Sequence, residues 1–183
     1  MSVVEDLLDR YGERVRLPWD RSLAGDQRVW FVVYDPAQER RLRLRLPAFQ
    51  AATEGAGHGW RHLDFTDAFA IWLGSHRRRD AYFREPDLAT FAMAAFERHL
   101  VGELRAALTA PESDESAVVA VSGIASLFGL VRVSPLVDAV AGDIRGRLVV
   151  FFPGHYDEQS YFRLLDARDG WDYLAVPITA SRG

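Results

Sequence analysis

The sequence predicts an α/β three-layer sandwich around a mostly parallel central sheet of five or six strands, a Rossmann-like architecture. Three observations carry that expectation. Short β-branched and aromatic runs at 28–34, 117–121 and 147–152 alternate with segments of helical period. These runs are apolar at nearly every position, as strands buried on both faces of a parallel sheet must be. Two helical segments also follow a polar cap and a proline, Asp35-Pro36 and Ser134-Pro135, which is a helix-start signature. The alternation runs without a linker or an internal repeat, so residues 1–183 are expected to form a single domain.

In chain order, residues 2–14 space Val3, Val4, Leu7, Leu8 and Tyr11 at helical period. Ser2 and Glu5 make a capping box at its start. The loop LPWDRSLAGDQ follows, then the strand RVWFVVY. From Asp35 the chain is expected to be helical to about Leu46, with Pro47 breaking or kinking it before a second turn or two to about Ala52. WRHLDF at 60–65 reads as a second strand, and Thr66 as the cap of a helix over 67–76. Arg77 to Arg79 is a charge cluster. The longest helix is expected at 87–110, capped by Asp87, with an apolar stripe of Leu88, Phe91, Ala95, Phe96, Leu100, Leu104 and Leu108.

The unit 117–154 is the expected sheet centre: strand, loop, helix 135–141 capped by Ser134, and strand 147–152. After a polar connection at 153–160 come two final strands, at 161–165 and 173–178. They flank the hairpin signal Asp169-Gly170, and at least one is expected to be antiparallel to its neighbour.

Ligands of parallel α/β sheets bind outside the carboxyl ends of the strands, so the loop 122–133 is the first place to look for a site. It is Gly-punctuated and apolar, and its one charge is Arg132. It matches neither a dinucleotide fingerprint nor a P-loop, which needs a lysine. A guanidinium in an apolar stretch needs an acidic or carbonyl partner, and Asp64, Asp67 and Asp138 are the internal choices. The strand-end residues Asp35 and Thr66 read as helix caps, so no metal site is assigned; the five histidines are not spaced as ligand pairs. There is no G-x-S-x-G elbow. Trp19 and Trp171 lie in loops, where a large aromatic covers an edge or meets a partner. His155 stands near a strand's carboxyl end. The candidate ligand or partner contacts are therefore Gly123, Ser126, Phe128, Arg132, Trp19, Trp171 and His155, with no catalytic residue and no cofactor.

Composition narrows the function classes. The formal charge is −4 and the pI about 5.7, the wrong sign for a dedicated nucleic-acid binder. The 22 basic residues are all arginine, which removes lysine Schiff-base chemistry. The lack of cysteine removes thiolate chemistry and fits a reducing, cytoplasmic setting. No apolar run reaches the ~18 residues of a spanning helix, so no membrane partner is expected.

Several stretches together resemble the BrxB family: LPWDRSLAGDQRVWFVVYDPAQERRLR, HGWRHLDFTDAFAIWL, SGIASLFGLVRVSPLV, GRLVVFFPG and RLLDARDGWDYLAVPI. They span roughly residues 4–180 in order, and SLFGLVRVS and the terminal stretch are the most specific. The resemblance implies a small accessory subunit of a BREX bacteriophage-exclusion system. Such a subunit acts beside PglZ-like, BrxC-like ATPase and PglX-like methyltransferase components, through protein–protein contacts rather than catalysis. DNA contact would be at most indirect. The family supplies no catalytic residues to carry over. The alternative is a nucleotide- or anion-sensing regulatory domain using the Gly123 to Gly129 turn and Arg132.

Overall fold

A computed structural model describes residues 2–77, 79–157, 161–164, 167–168 and 175–180. Five strands form an all-parallel central sheet: β1 (Val29–Tyr34), β2 (Gly59–Asp64), β3 (Ala117–Ser122), β4 (Arg147–Asp157) and β7 (Val176–Thr179), in the order β2-β3-β4-β1-β7. Helices cover both faces, so the protein is a Rossmann-like α/β three-layer fold. Two short strands, β5 (Tyr161–Leu164) and β6 (Ala167–Arg168), add an antiparallel ribbon to the far end of β4.

The strand sequences dictate this layering. Side chains alternate across a strand, and in β1 both sets are apolar. Val29, Phe31 and Val33 enter one core, while Trp30, Val32 and Tyr34 enter the other. β3 and β4 divide the same way, Val119, Val121, Leu148, Val150 and Phe152 against Val118, Ala120, Val149 and Phe151. The first core is closed by α3 (Ala68–Ser75), α5 (Pro86–Thr109) and α6 (Val133–Val140). The second is closed by α1 (Val3–Arg16) and α2 (Glu39–Gly55). There Tyr11 packs at a tilt against Phe49 and donates its hydroxyl to Thr53, whose own proton goes to the Phe49 carbonyl. Each fully buried Phe or Leu stabilises the fold by about 1.5–3 kcal/mol.

Several sequence expectations are corrected. The helix after β1 runs unbroken from Glu39 to Gly55 with Pro47 inside it. Pro47 is exposed, while Leu42, Phe49 and Thr53 hold the helix to the sheet from the other side. The Arg–Leu alternation at 41–46 is helical, as the preceding cap predicts. Asp35 caps a 3-10 turn, Pro36–Gln38, that leads into α2. Thr66 does not cap α3; it closes a turn with Asp64. α5 starts one residue early with Pro86 in its first turn, so Asp87 lies inside rather than capping it. Phe91 leaves the apolar stripe and is exposed, its place taken by Ala92. A short helix α4 (Arg79–Arg84) forms in the charged spacer. Arg132, not Ser134, is the N-cap of α6, and Ser134 is buried in its first turn. β4 does not stop at Phe152; it continues to Asp157 and pairs with β5. The Asp169-Gly170 turn lies outside the described residues. Of the final strands, β5 is antiparallel to β4 and β7 joins β1 in parallel.

Candidate functional sites at the two ends of the sheet

The carboxyl end is where parallel sheets usually place their chemistry. Here its polar groups are spent on one another. Asp64 Oδ1 accepts from the Thr66 backbone N–H at 2.9 Å and from its hydroxyl at 2.5 Å. Asp64 Oδ2 accepts from Arg43 Nη2 at 2.8 Å, and Arg43 also donates to Thr66 Oγ1. Partial desolvation pushes the Asp64 carboxyl up, but the Thr66 bonds and the Arg43 charge outweigh it and hold it below its ordinary value. His62 Nε2 shares a hydrogen bond of 2.8 Å with the buried Ser122 hydroxyl. Because Asp64 gives its oxygens to Thr66 and Arg43, the carboxylate–imidazole–hydroxyl order of a hydrolase is not assembled.

The loop after β3 packs its glycine against the β2 turn and bonds largely to itself. Gly123 is left-handed, with φ of 76°, and a Cβ there would lie 2.3 Å from the Thr66 nitrogen. Its glycine serves backbone approach, not ligand approach. The N–H groups of Ser126, Phe128, Leu130 and Val131 all donate to carbonyls of the loop itself, at 2.9–3.1 Å. Ser126 is exposed, and Arg132 is exposed at the start of α6, so the cost of a buried charge does not arise there. Phe128 is 45% exposed. His155 is exposed on the extended β4, opposite Arg163, not in a loop. Trp171 lies outside the described residues. No group of three His, Asp or Glu side chains fit to hold a metal occurs among the described residues.

The amino ends of β1, β4 and β7 form a different environment. Arg147, the first residue of β4, is only 4% exposed. Its guanidinium lies 4.8 Å from the Trp19 ring centroid and 5.8 Å from that of Trp30, and donates to the carbonyls of Gly146 and Asp20. Trp19 stands edge-on to Trp30 and stacks on His58 at 3.7 Å. It is therefore half-buried cover for the second core, packed within the chain. Arg14, in the last turn of α1, places its guanidinium 5.5 Å from the Trp30 centroid. Arg28 donates to four carbonyls, those of Leu23, Ile144, Arg145 and Arg21. Desolvation lowers the Arg147 pKa, and the neighbouring Arg28 and Arg14 lower it further while Asp20 opposes them. A cleft of about 170 Å³ opens here, lined by Arg14, Trp19, Asp20, Gln27, Trp30 and Arg147 among others.

Reasoning from sequence passed over Arg147 and Arg14. The available signal was an arginine heading a strand that is otherwise wholly apolar, RLVVFF, since such a residue must find both a partner and cover.

Fold and sites together define a Rossmann-like α/β protein in which Asp64, Thr66 and Arg43, at the usual ligand end, are bonded to one another. Comparison with protein-family models, with curated proteins and with solved structures finds no match. No helix among the described residues is long and apolar enough to cross a membrane.

Proposed function

We propose that this chain is a non-catalytic adaptor subunit of a BREX anti-phage system, docking PglZ-like, BrxC-like or PglX-like components. The resemblance of its motifs to the BrxB family motivates the system. The apolar exposure at the carboxyl end of the sheet supports a docking role: Phe128 is 45%, Ile71 70% and Phe91 71% exposed. By topology all three belong to the end where β2 and β3 finish and α5 begins. Exposed aromatic anchors of this kind carry a disproportionate share of binding energy at protein interfaces.

The test is co-expression with each of the three partner classes and affinity purification. A stable complex is expected with at least one. Phe128→Asp should weaken it by about 2 kcal/mol or more while leaving the melting temperature unchanged. A chain that purifies alone against every partner would sink the reading.

A further inference from the structure

The guanidinium cluster at the amino end of the sheet has no role in that reading. In α/β proteins, helix C-termini gather at this end and favour cations by their dipoles. Some arginines here do that work. Arg145 donates to the carbonyls of Leu108 and Ala110 at the end of α5, and Arg105 to that of Ala139 near the end of α6. Arg28 ties the loop at 21–23 to the carbonyls at 144–145.

Arg14 is different. Its guanidinium makes no hydrogen bond or ion pair to any described residue and lies against the face of Trp30. Arg147 feels the like charges of both Arg14 and Arg28, a grouping that opposes folding. The carboxylate facing the group is Asp20, and its Oδ1 already accepts from the backbone N–H and the hydroxyl of Ser22. Three buried donor atoms, Arg14 Nε, Trp19 Nε1 and Arg147 Nε, find no acceptor among the described residues. Buried donors without acceptors are costly and rare in native proteins. The region is therefore rich in donors and positive charge and short of acceptors, although the chain as a whole is acidic.

The shape agrees with the charge. The cleft holds about 170 Å³. A single water needs ~10–15 Å³, and a drug-sized pocket ~300–1,000 Å³. Room of this size suits a small ligand with one or two anionic groups. Apolar side chains, Pro18, Leu23 and Val176, complete the wall beside the indoles. A neighbouring cleft shares Arg14, but its other cation, Arg10, is paired with Asp6 and its wall carries Glu13, which places the anion on the Trp19 side.

We infer that this cleft is an oxyanion site, in which Arg14 holds a phosphate or carboxylate group of a small ligand against a wall made by Trp19, Trp30 and Arg147. Arg14 supplies a forked, permanently charged donor. Arg147 is fixed by its carbonyl bonds and indole contacts and contributes charge. Asp20 opposes binding and tunes its strength. The site lies at the end of the sheet opposite Phe128, so it stands or falls independently of the adaptor reading.

The test is a titration of the full-length, ¹⁵N-labelled chain with pyrophosphate and, in a second arm, with citrate, followed by the indole and arginine Nε–H cross-peaks. Saturable shifts of Trp19 Nε1–H and Arg14 Nε–H are expected in at least one arm, and the arm that saturates identifies the oxyanion. Arg14→Gln should weaken binding at least tenfold, with Arg14→Lys intermediate, and the exposed neighbour Arg16→Gln should leave it unchanged. Asp20→Asn should tighten binding two- to fivefold, a gain that misfolding cannot produce. Absence of saturable shifts in both arms up to ~10 mM would overturn the site, a ceiling at which even millimolar affinity shows. Unaltered affinity in Arg14→Gln, or in Asp20→Asn, would overturn it too.

Discussion

The two ends of the central sheet are built from the same residue types and reach opposite conditions. At the carboxyl end, Asp64, Thr66 and Arg43 satisfy one another, His62 meets Ser122, and Tyr34 donates to Glu39. The loop above them bonds to itself and presents Phe128. At the amino end, Arg14, Trp19 and Arg147 each carry a buried donor with no acceptor among the described residues. Position in the fold does not by itself make a site; what matters is which end has binding capacity left over. Crevices at a switch in strand order favour the carboxyl end in general. In this protein β4 runs past the end of β1, which stops opposite Pro153, and carries the β5 ribbon from that end.

The comparison can be broken most forcefully at Gly123. Replacement by alanine places a Cβ 2.3 Å from the Thr66 nitrogen on a left-handed backbone. Combined strain and overpacking should cost about 3–5 kcal/mol, read as a fall in the denaturation midpoint at unchanged slope. A loss below about 1 kcal/mol would mean that the loop is not locked to the β2 turn.

At the other end, Arg147→Met keeps the volume but removes the charge. It abandons the Asp20 and Gly146 carbonyls and the indole contacts, and relieves repulsion with Arg14 and Arg28. The net loss should be about 2–3 kcal/mol, smaller than at Gly123, because that relief offsets part of the lost bonding. Chemical denaturation of the two variants side by side checks the order. A neutral or stabilising Arg147→Met would show that the amino end is merely tolerating its charge.

The smallest effect is electrostatic and belongs to the carboxyl end. Desolvation holds the His62 imidazole below its ordinary value of 6.5, with Asp64 opposing and Arg43 assisting. Between that lowered value and 6.5 the unfolded chain binds more protons than the folded one. Stability is therefore complete above about pH 6.5 and declines as pH falls through that window. His62→Gln should flatten that slope, measured as the denaturation midpoint from pH 7.5 to 5. An unchanged slope in the variant would assign the pH dependence elsewhere.

What was legible in the sequence follows the physics that acts locally. The double-sided apolar strands announced a parallel sheet because β1, β3 and β4 are buried on both faces, and Ser2 announced its helix because a cap acts within one turn. Residues 41–46 are legible as helix because Asp35 and Pro36 act on the turn that follows them. The amino-end cleft was illegible for the opposite reason. Arg147 and Asp20 are 127 positions apart, and only the strand order places the heads of β1 and β4 side by side. Arg132 drew attention as a lone charge among apolar residues, yet it sits exposed at a helix start. Arg147, which follows Arg145 and Gly146 and heads an apolar run, is the one the sheet buries. Local sequence identified the type of residue that mattered; topology decided which copy of it did.

The most direct measurement is where on the sheet a small oxyanion is felt. Amide, indole and arginine Nε–H shifts mapped over the whole chain during a pyrophosphate or citrate titration report both ends at once. Saturable shifts are predicted at Arg14, Trp19, Trp30 and Arg147, with residues 123–132 unmoved. Shifts centred on Gly123 to Arg132, or none at the arginine–tryptophan cleft, would contradict the account.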